Sequence, residues 1–408
     1  MTFAASCRLP IPADFAPPPG ARLRRAWGEA DRAALPSRLG RLRARLTESG
    51  VDAYFGLRRE EIRYLTGVNL GEGEEKMAGN SGRFLVSGDT VVVLADSRYT
   101  LQARHEAPDA RLEAVTNDLP AHWAALCAAI GARRVAVPAA DISHALWGEL
   151  AAAAPDVELV PAGAWVDEHR AVKEPAEVER IAAACAVADR ALAALLPEIR
   201  PGLTEAALAW RLETLMREGG AEALAFDVAA LAGPQAALPH GSPGERRVRA
   251  GQVLLFDFGA QVAGYRSDMT RTLFVGEPRS RDLAVYELVA RAQAASIAYL
   301  EASLEAGTAP NGRAADAAAR DVISAAGHGE HFGHGTGHGI GLATHEVPSL
   351  SRVASEAPLP SPTVFSVEPG VYLDGRMGVR IEDLVLLDIA ARRAERLTRF
   401  PRDVLVVG

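Results

Sequence analysis

Between Pro36 and about Pro161, hydrophobic residues alternate between helical spacing and short uninterrupted runs. Apolar residues three and four positions apart predict amphipathic helices at 38–48, at 60–65, after Asp96 and near 139–153. Short apolar runs predict strands at 52–57, 84–86, 90–95, 134–137 and 157–160. This alternation is typical of an α/β domain with a mixed sheet, which we expect to span residues 36–170.

Two segments of this half have no hydrophobic period. Residues 1–35 are rich in proline and small residues, which predicts an extended N-terminal arm. Residues 69–81 read NLGEGEEKMAGNS, and their glycines and charges predict a mobile surface loop. Such a loop could also form part of the rim of a functional site.

The second half, residues 171–408, combines helical patterns with many strand-like runs. Helices are predicted at 173–196, from Thr204 to Gly219, near 282–304 and near 312–326. Thr204 is a suitable N-terminal cap, and the Gly219-Gly220 pair suits a left-handed C-terminal residue. We therefore predict an α+β domain whose helices cover one face of an antiparallel sheet.

Composition narrows the classes of function. The chain has 408 residues, which favours two domains, and a formal net charge of −8 without a long basic run, which argues against nucleic acid as a partner. Its three cysteines are too widely spaced for a zinc ribbon, and no disulfide framework is expected. No signal peptide or apolar run of about 20 residues is recognisable, so we expect a cytoplasmic protein outside the membrane.

Residues 333–345 read GHGTGHGIGLATH and place three histidines among closely spaced glycines. Glycine at alternate positions is unfavourable in both helices and strands, because it loses much backbone entropy on ordering. It does permit close approach of the backbone to a neighbouring group. A metal ion or an anionic reaction centre is the natural candidate if carboxylates meet these histidines.

A first pair of carboxylates comes from two strand-like segments, 253–259 and 266–274. A hairpin centred near Val262 would place Asp257 opposite Asp268, since residues equidistant from a turn share a face. Apolar neighbours surround Asp257 on both sides in the sequence. Two buried, opposed carboxylates are unfavourable unless a cation lies between them.

A second pair has the same geometry. Asp374-Gly375 is a hairpin signal between two strand-like segments and places Glu368 opposite Glu382. Four carboxylates with at least one histidine form an oxygen-rich set that is large enough for two divalent ions. This chemistry favours Mn²⁺ or Co²⁺, with Zn²⁺ or Fe²⁺ as alternatives.

These residues lie in the phrases LLFDFGA, YRSDMTRT, HGTGHGIG, SVEPGVYL and VRIEDLVLL. Their order and spacing resemble the metal-site blocks of the pita-bread metallopeptidases, the family of methionine aminopeptidase, aminopeptidase P and prolidase. The match begins at about residue 173. The preceding domain resembles the N-terminal domain of creatinase and of the proline-specific branch, and ADSRYTLQA resembles a block of short aminopeptidases P.

The resemblance implies a role for each predicted ligand. Asp257 would be a bidentate ligand of one ion, and His338 and Glu368 would be ligands of the other. Asp268 and Glu382 would contact both ions.

The resemblance implies further residues around this centre. His345 matches the histidine that stabilises the scissile group. His240 and His334 match histidines that help to hold the substrate. Tyr372 and Arg380 match polar residues close to the metals.

The implied activity is removal of the N-terminal residue from Xaa-Pro peptides. A hydroxide bridging the two ions would be the nucleophile, and Glu368 would carry its proton to the leaving nitrogen. The alternative is an Xaa-Pro dipeptidase, or prolidase. A metal-free creatinase-like hydrolase and a non-catalytic peptide-binding module would not need all five ligands.

The sequence after His345 bears on the length of the peptide substrate. In prolidase-like sequences we expect an arginine shortly after the histidine that matches His345, where it would pair with the free carboxylate of a dipeptide. Here Ser349 follows His345 by four positions, and the nearest arginine is Arg352. We therefore favour the aminopeptidase.

The resemblance also implies a homodimer, with small peptides that carry proline in the second position as substrates.

Overall fold

The structure of the protein is a computed structural model that describes residues 15–70, 81–115 and 118–408. The chain divides into an N-terminal unit, Arg25–Arg170, and a C-terminal unit, Ala171–Gly408 together with Met1–Arg24. Most of the predicted loop at 69–81, and the first fourteen residues of the predicted arm, lie outside the described residues. In the described part of the chain, no helix combines the length and apolar character that a membrane span requires.

The N-terminal unit alternates helices with strands, as the sequence predicts. Its helices are α1 (Ala21–Ser49), α2 (Arg59–Thr66), α3 (Thr100–Glu106), α4 (Leu119–Ala129), α5 (His144–Ala153) and α6 (Trp165–Ala171). Its strands are β1 (Ala53–Gly56), β2 (Phe84–Ser87), β3 (Val91–Leu94), β4 (Arg111–Glu113), β5 (Arg134–Pro138) and β6 (Glu158–Ala162).

These strands form one mixed sheet with the order β4-β3-β2-β1-β5-β6. The pairs β1–β2 and β2–β3 are antiparallel, whereas β3–β4, β1–β5 and β5–β6 are parallel. Trp123 of α4 is fully buried against the sheet, with its ring centroid 4.9 Å from that of Phe55. The α/β fold predicted for this half is confirmed.

The prediction of an extended arm to residue 35 was wrong for its second half, because α1 begins at Ala21 and continues through Pro36. That prediction rested on the many prolines and small residues of this segment and on its lack of a hydrophobic period, whereas a single proline within a helix removes only one hydrogen bond. The buried residues of α1 are Trp27, Arg38, Leu42 and Leu46, which recur at helical spacing. Burial of this face stabilises the helix across the proline.

The C-terminal unit contains long helices and many short strands. Its helices are α7 (Pro175–Leu195), α8 (Glu205–Glu218), α9 (Ser280–Glu305) and α10 (Gly312–Ala325). Its strands are β7 (Ala223–Leu224), β8 (Ala229–Ala232), β9 (Gln252–Phe258), β10 (Ala260–Val262), β11 (Tyr265–Arg266), β12 (Met269–Val275), β13 (Gly337–Gly339), β14 (Glu346–Leu350), β15 (Thr363–Val367), β16 (Gly370–Leu373), β17 (Met377–Arg380), β18 (Asp383–Asp388), β19 (Arg393–Arg396) and β20 (Val406–Val407).

Two main sheets organise this unit, with the orders β20-β12-β9-β8 and β14-β13-β15-β18-β19. All of their pairings are antiparallel except that of β20 with β12. Val289 of α9 and Ile323 of α10 belong to one buried core with Leu255 and Phe274 of the first sheet. This arrangement confirms the predicted α+β fold with a largely antiparallel sheet.

The helix ends agree with the sequence signals. The Thr204 side chain accepts a hydrogen bond from the Ala207 amide, so it caps α8. Gly220, just beyond the end of that helix, has a φ of 101°, in the region that favours glycine. Pro175 occupies the first turn of α7, where its missing N–H removes no helical hydrogen bond.

Candidate metal centre

Asp257 lies on β9 and Asp268 lies between β11 and β12, within the predicted hairpin, but the register of that hairpin differs from the prediction by two residues. Asp257 lies opposite Thr270, so the predicted pairing with Asp268 was wrong. The turn residues are Ala263 and Gly264, which both have positive φ, 48° and 81°. Such a two-residue turn matches the twist of an antiparallel pair. It shifts the strand pairing by two residues relative to the hairpin predicted around Val262.

The second hairpin keeps the predicted register. Strand β16 pairs with β17 so that Gly370 lies opposite Arg380, and β15 pairs with β18 so that Val367 lies opposite Asp383. Glu368 and Glu382 occupy the gap between these two ladders. They therefore lie at equivalent points on either side of the turn at Gly375.

Two of the glycines in residues 333–345, Gly337 and Gly339, are required by close backbone packing. A Cβ atom on Gly337 would lie 1.8 Å from the Ser366 carbonyl oxygen, and one on Gly339 would lie 2.3 Å from that of Val347. Strand β13 is thus pressed between β14 and β15, its neighbours in the sheet. This packing presents His338 to the carboxylates.

The structure brings the predicted ligands together. One ligand atom each from Asp268, His338 and Glu382 lies within 4.8 Å of the others. The Nε2 atom of His338 lies 3.7 Å from Asp268 Oδ2 and 3.3 Å from Glu368 Oε1. Asp257 completes the set, and all five residues line one cavity.

The tautomer of His338 suits a metal ligand. Its Nδ1 atom lies 3.0 Å from the Gly339 carbonyl oxygen, which can only accept, so this nitrogen carries a proton. Burial opposes protonation of the ring, but the hydrogen bond to Glu368 and the Glu368 charge raise the pKa of His338 to about 9. Without a cation Nε2 therefore also carries a proton, which a metal ion would replace. Metal-binding histidines are commonly held by such a bond from the other ring nitrogen.

Two of the carboxylates also have oxygen atoms that could bind a cation. Asp257 Oδ1 and Glu382 Oε1 are buried without a hydrogen-bond partner among the described residues. Burial and then the neighbouring Glu368 and Asp257 carboxylates raise the pKa of Glu382 to about 8, and burial with the Glu382 charge raises the pKa of Asp268 well above its usual value. Divalent cations would bind these oxygen atoms and offset the repulsion between the carboxylates. The residues present therefore fit a metal centre.

Glu368 differs from the other carboxylates in its environment. It accepts a hydrogen bond from Ser366 Oγ at 3.0 Å and faces the His338 ring. Burial opposes its ionisation, but the hydrogen bond and charge of His338 outweigh that effect and lower the pKa of Glu368 to about 2. Glu368 is therefore held as a carboxylate.

Arg380 connects several of the predicted residues. Its guanidinium donates to Asp257 Oδ2, to Tyr372 Oη at 2.9 Å and to Thr270 Oγ1 at 2.9 Å. Thr270 in turn donates to Glu382 Oε2 at 2.7 Å. The buried Arg380 side chain thus positions two predicted ligands, Asp257 directly and Glu382 through the Thr270 hydroxyl group.

Tyr372 extends this network to His334. The tyrosine hydroxyl and His334 Nε2 are 2.8 Å apart, and His334 Nδ1 lies 2.7 Å from the Gly335 carbonyl oxygen. Because the carbonyl requires a proton on Nδ1, Nε2 accepts and Tyr372 donates. The side chain of His334 is thereby fixed at the wall of the cavity.

A second buried network holds the backbone behind the carboxylates. Arg271 donates to the Glu382 carbonyl oxygen and, at 2.7 Å, to Asp383 Oδ1. Gln293 of α9 donates to Asp383 Oδ2 at 3.0 Å and to the Val367 carbonyl oxygen at 3.1 Å. These bonds reach Glu382 itself and the residue before Glu368.

The cavity has a volume of about 500 Å³, which suits a small peptide or another small ligand. His240 and His345 both line it. The ring of His345 lies against that of His338, with centroids 4.3 Å apart. Burial and then the neighbouring His338 lower the pKa of His345, which favours its neutral form.

Sequence analysis missed the residues that support the ligands: Thr270, Arg271, Gln293, Ser366 and Asp383. A correct hairpin register would have placed Thr270 opposite Asp257. The polar residues Arg271 and Asp383 stand within strand-like segments, and that position was the available signal. Nothing in the pattern of α9 distinguishes Gln293 from a surface residue.

Comparison with known proteins identifies the family of both domains. The profile of metallopeptidase family M24 matches residues 179–388, and that of the creatinase/prolidase N-terminal domain matches residues 38–172. An uncharacterized peptidase of Bacillus subtilis, YqhT, is 32% identical over 370 residues, which covers 91% of this chain and 100% of that protein.

Solved structures agree along nearly the whole chain. An Xaa-Pro dipeptidase from Bacillus anthracis has a TM-score of 0.81 at 30% identity and covers 91% of this chain and 100% of its own. An X-Pro aminopeptidase from Thermotoga maritima has a TM-score of 0.79 at 33% identity, covering 90% and 99%. With its creatinase-type N-terminal domain and pita-bread catalytic domain, this chain is an enzyme of metallopeptidase family M24.

Proposed function

We propose that the protein is a dinuclear, metal-dependent Xaa-Pro aminopeptidase. The observation that carries this proposal is the set of four carboxylates and His338, all buried or half-buried, at one cavity, with carboxylate oxygens that lack a partner among the described residues. We propose that residues 36–170 form the creatinase-type N-terminal domain and residues 171–408 the catalytic domain. We also propose that the enzyme is cytoplasmic. The names of the relatives support the substrate class, because those proteins act on Xaa-Pro peptides.

The five predicted ligands would hold two divalent ions. Asp257 would bind one ion, His338 and Glu368 the other, and Asp268 and Glu382 would contact both. Such ions lower the pKa of water to about 7 and polarise a carbonyl group. Oxygen donors with one imidazole favour Mn²⁺ or Co²⁺ over a thiolate-type zinc site.

The side chains of the cavity would perform the proton transfers. Glu368 is a carboxylate fixed by Ser366, so it can accept a proton from the attacking water and deliver it to the leaving nitrogen. His345, beside His338, would stabilise the negative charge that develops on the substrate oxygen. His240, with His334 and its partner Tyr372, would orient the peptide.

Metal dependence follows from the unpaired oxygens. Exhaustive dialysis against a chelator is expected to abolish hydrolysis of Xaa-Pro peptides. Without divalent ions the site would have nothing to activate the attacking water or to offset the repulsion between its carboxylates. Addition of Mn²⁺ or Co²⁺ is expected to restore it. Full activity of protein shown by elemental analysis to be metal-free would refute the proposal.

The cavity rim favours the aminopeptidase over the dipeptidase. Ser349 and Ser351 line the cavity after His345, whereas Arg352 is not among its described lining residues. Arg380 does line the cavity, but it is already engaged by Asp257. The described rim therefore offers no arginine free to pair with the carboxylate of a dipeptide, although the dipeptidase remains the second candidate because the B. anthracis relative carries that name.

Peptide length separates these two candidates. We expect kcat/KM for Xaa-Pro tripeptides and pentapeptides to equal or exceed that for the matching Xaa-Pro dipeptide, because no arginine of the described rim is free to select the carboxylate of a dipeptide. Measurement with one N-terminal residue throughout the series removes differences in its binding. Cleavage confined to the dipeptide would identify a prolidase and leave the metal chemistry unchanged.

We also propose a homodimer in which the N-terminal domain of one chain approaches the site of the other. Light scattering at the assay concentration is expected to give twice the chain mass of 43.1 kDa. Dilution below the dissociation constant would then lower specific activity. A monomer with undiminished activity would contradict this part of the proposal.

A further inference from the structure

A second cavity lies outside the metal centre, between α9 and the segment that follows β18. It has a volume of about 780 Å³, and its lining includes three guanidinium groups, those of Arg396, Arg399 and Arg402. We call it the arginine cleft. The same three arginines also line an adjoining cavity of about 400 Å³, so they are accessible from two sides.

Two arginines of the cleft share one buried carboxylate with a third guanidinium outside the cleft lining. Asp383, which is fully buried, meets three guanidiniums: Arg271 at 2.7 Å, Arg396 at 3.6 Å and Arg402 at 3.7 Å. Its oxygens already accept hydrogen bonds from Arg271, Thr398 and Gln293. One saturated carboxylate cannot neutralise three cations.

The rim has a similar imbalance. Glu395 is shared between Arg393 at 3.3 Å and Arg399 at 3.5 Å, and Arg399 is 71% exposed. Burial and then the neighbouring Arg396 charge lower the pKa of Arg402, as expected where like charges are crowded. Glu301 also lines the cleft but has no ion pair among the described residues with these arginines.

We propose that the arginine cleft binds an oligophosphate group. Guanidinium is planar and always charged, and it pairs with phosphate oxygens through two parallel hydrogen bonds. Arginines from β19 and from the following segment face one volume, so several phosphate oxygens can be engaged together. The cavity is large enough for more than one phosphate group.

The arginine cleft is linked by hydrogen bonds to residues that hold the metal centre in place. Arg402 donates to Gln293 Oε1 at 3.2 Å, and Gln293 donates to the Val367 carbonyl oxygen, directly before Glu368. Its residues are distinct from those that line the metal-centre cavity. The proposal therefore adds a binding site to the enzyme and does not depend on which peptide is cleaved.

Isothermal titration calorimetry of the metal-loaded protein with pyrophosphate tests the proposal. The double variant Arg396→Gln/Arg399→Gln is expected to bind about tenfold or more weakly than the wild type, because two charge-assisted bonds are lost. Arg393→Gln is the matched control: it alters the same strand and the same partner, Glu395, but Arg393 does not line the cleft. We expect its dissociation constant to stay within about twofold of the wild type.

The single variant Arg399→Gln provides a second test if the double variant is unstable, since its exposed side chain contributes little to folding. It is expected to weaken binding about threefold, through loss of one cation. Pyrophosphate also binds divalent ions, and binding confined to the metal centre would give equal dissociation constants in all of these proteins. That result, or no binding to the wild type at millimolar concentration, would overturn the proposal.

Discussion

Replacement of Glu368 by glutamine is expected to lower kcat by about 10³-fold or more, because the variant loses both a ligand charge and the group that carries the proton. The structure supports a functional rather than a structural cause. Glutamine has the same shape, and its side-chain oxygen can still accept from Ser366, as the Glu368 carboxylate does at 3.0 Å. Steady-state hydrolysis of an Xaa-Pro tripeptide measures the effect.

His345→Ala provides the comparison for this variant. His345 touches the His338 ring but is not a predicted ligand, so the variant is expected to lose kcat while it keeps its full metal content. Elemental analysis of both proteins separates the two roles. Loss of metal in His345→Ala, or near-normal turnover in Glu368→Gln, would show that the roles are wrongly assigned.

Asp268→Asn is expected to have two opposite effects. The variant should lose bound metal and activity, because Asp268 is predicted to contact both ions. In the metal-free state it should be more stable than the wild type, since it removes one buried carboxylate from the group that contains Glu382. We expect an increase in Tm of about 2–4 °C for each 1 kcal/mol of repulsion removed.

Thermal unfolding in the presence of a chelator, together with elemental analysis, measures both effects. Asp321→Asn, which changes an exposed residue on α10, is the control and should alter neither quantity. A metal-free Asp268→Asn protein that unfolds at a lower temperature than the wild type would contradict the repulsion. It would mean that Asp268 stabilises the fold by contacts other than those with a cation.

The two hairpins show how far the sequence determines the site. Asp374-Gly375 is a strong turn signal, and the register it predicts for Glu368 and Glu382 agrees with the ladders on both sides. Between Asp257 and Asp268 the turn signal is weaker. Because the non-glycine residue Ala263 adopts positive φ there, glycine positions alone did not locate the turn.

The supporting networks could not be predicted in the same way. Arg271, Gln293 and Asp383 come from three elements that are distant in sequence and meet only in the folded chain. Hydrophobic periodicity describes which face of an element is buried, but it does not say which buried polar groups will pair. The ligand types and their order were accessible from sequence, whereas the second layer around them required the structure.

The N-terminal helix illustrates a different limit. The lack of a hydrophobic period in residues 1–35 predicted a helix only from residue 38, yet α1 begins at Ala21 and includes Pro36. Pro36 acts on the local backbone, whereas Trp27 and Leu42 are buried by tertiary packing, which local signals do not describe. Packing energy outweighed a local preference that is worth about 3 kcal/mol.

The central claim is that two divalent ions, held by the carboxylates and His338, are required for peptide hydrolysis. Its most direct test is titration of metal-free protein with Mn²⁺, in which bound metal and Xaa-Pro tripeptide hydrolysis are measured on the same samples. We expect hydrolysis to rise with occupancy and to reach its maximum at two ions per chain. Hydrolysis that is already complete without bound metal would contradict the account.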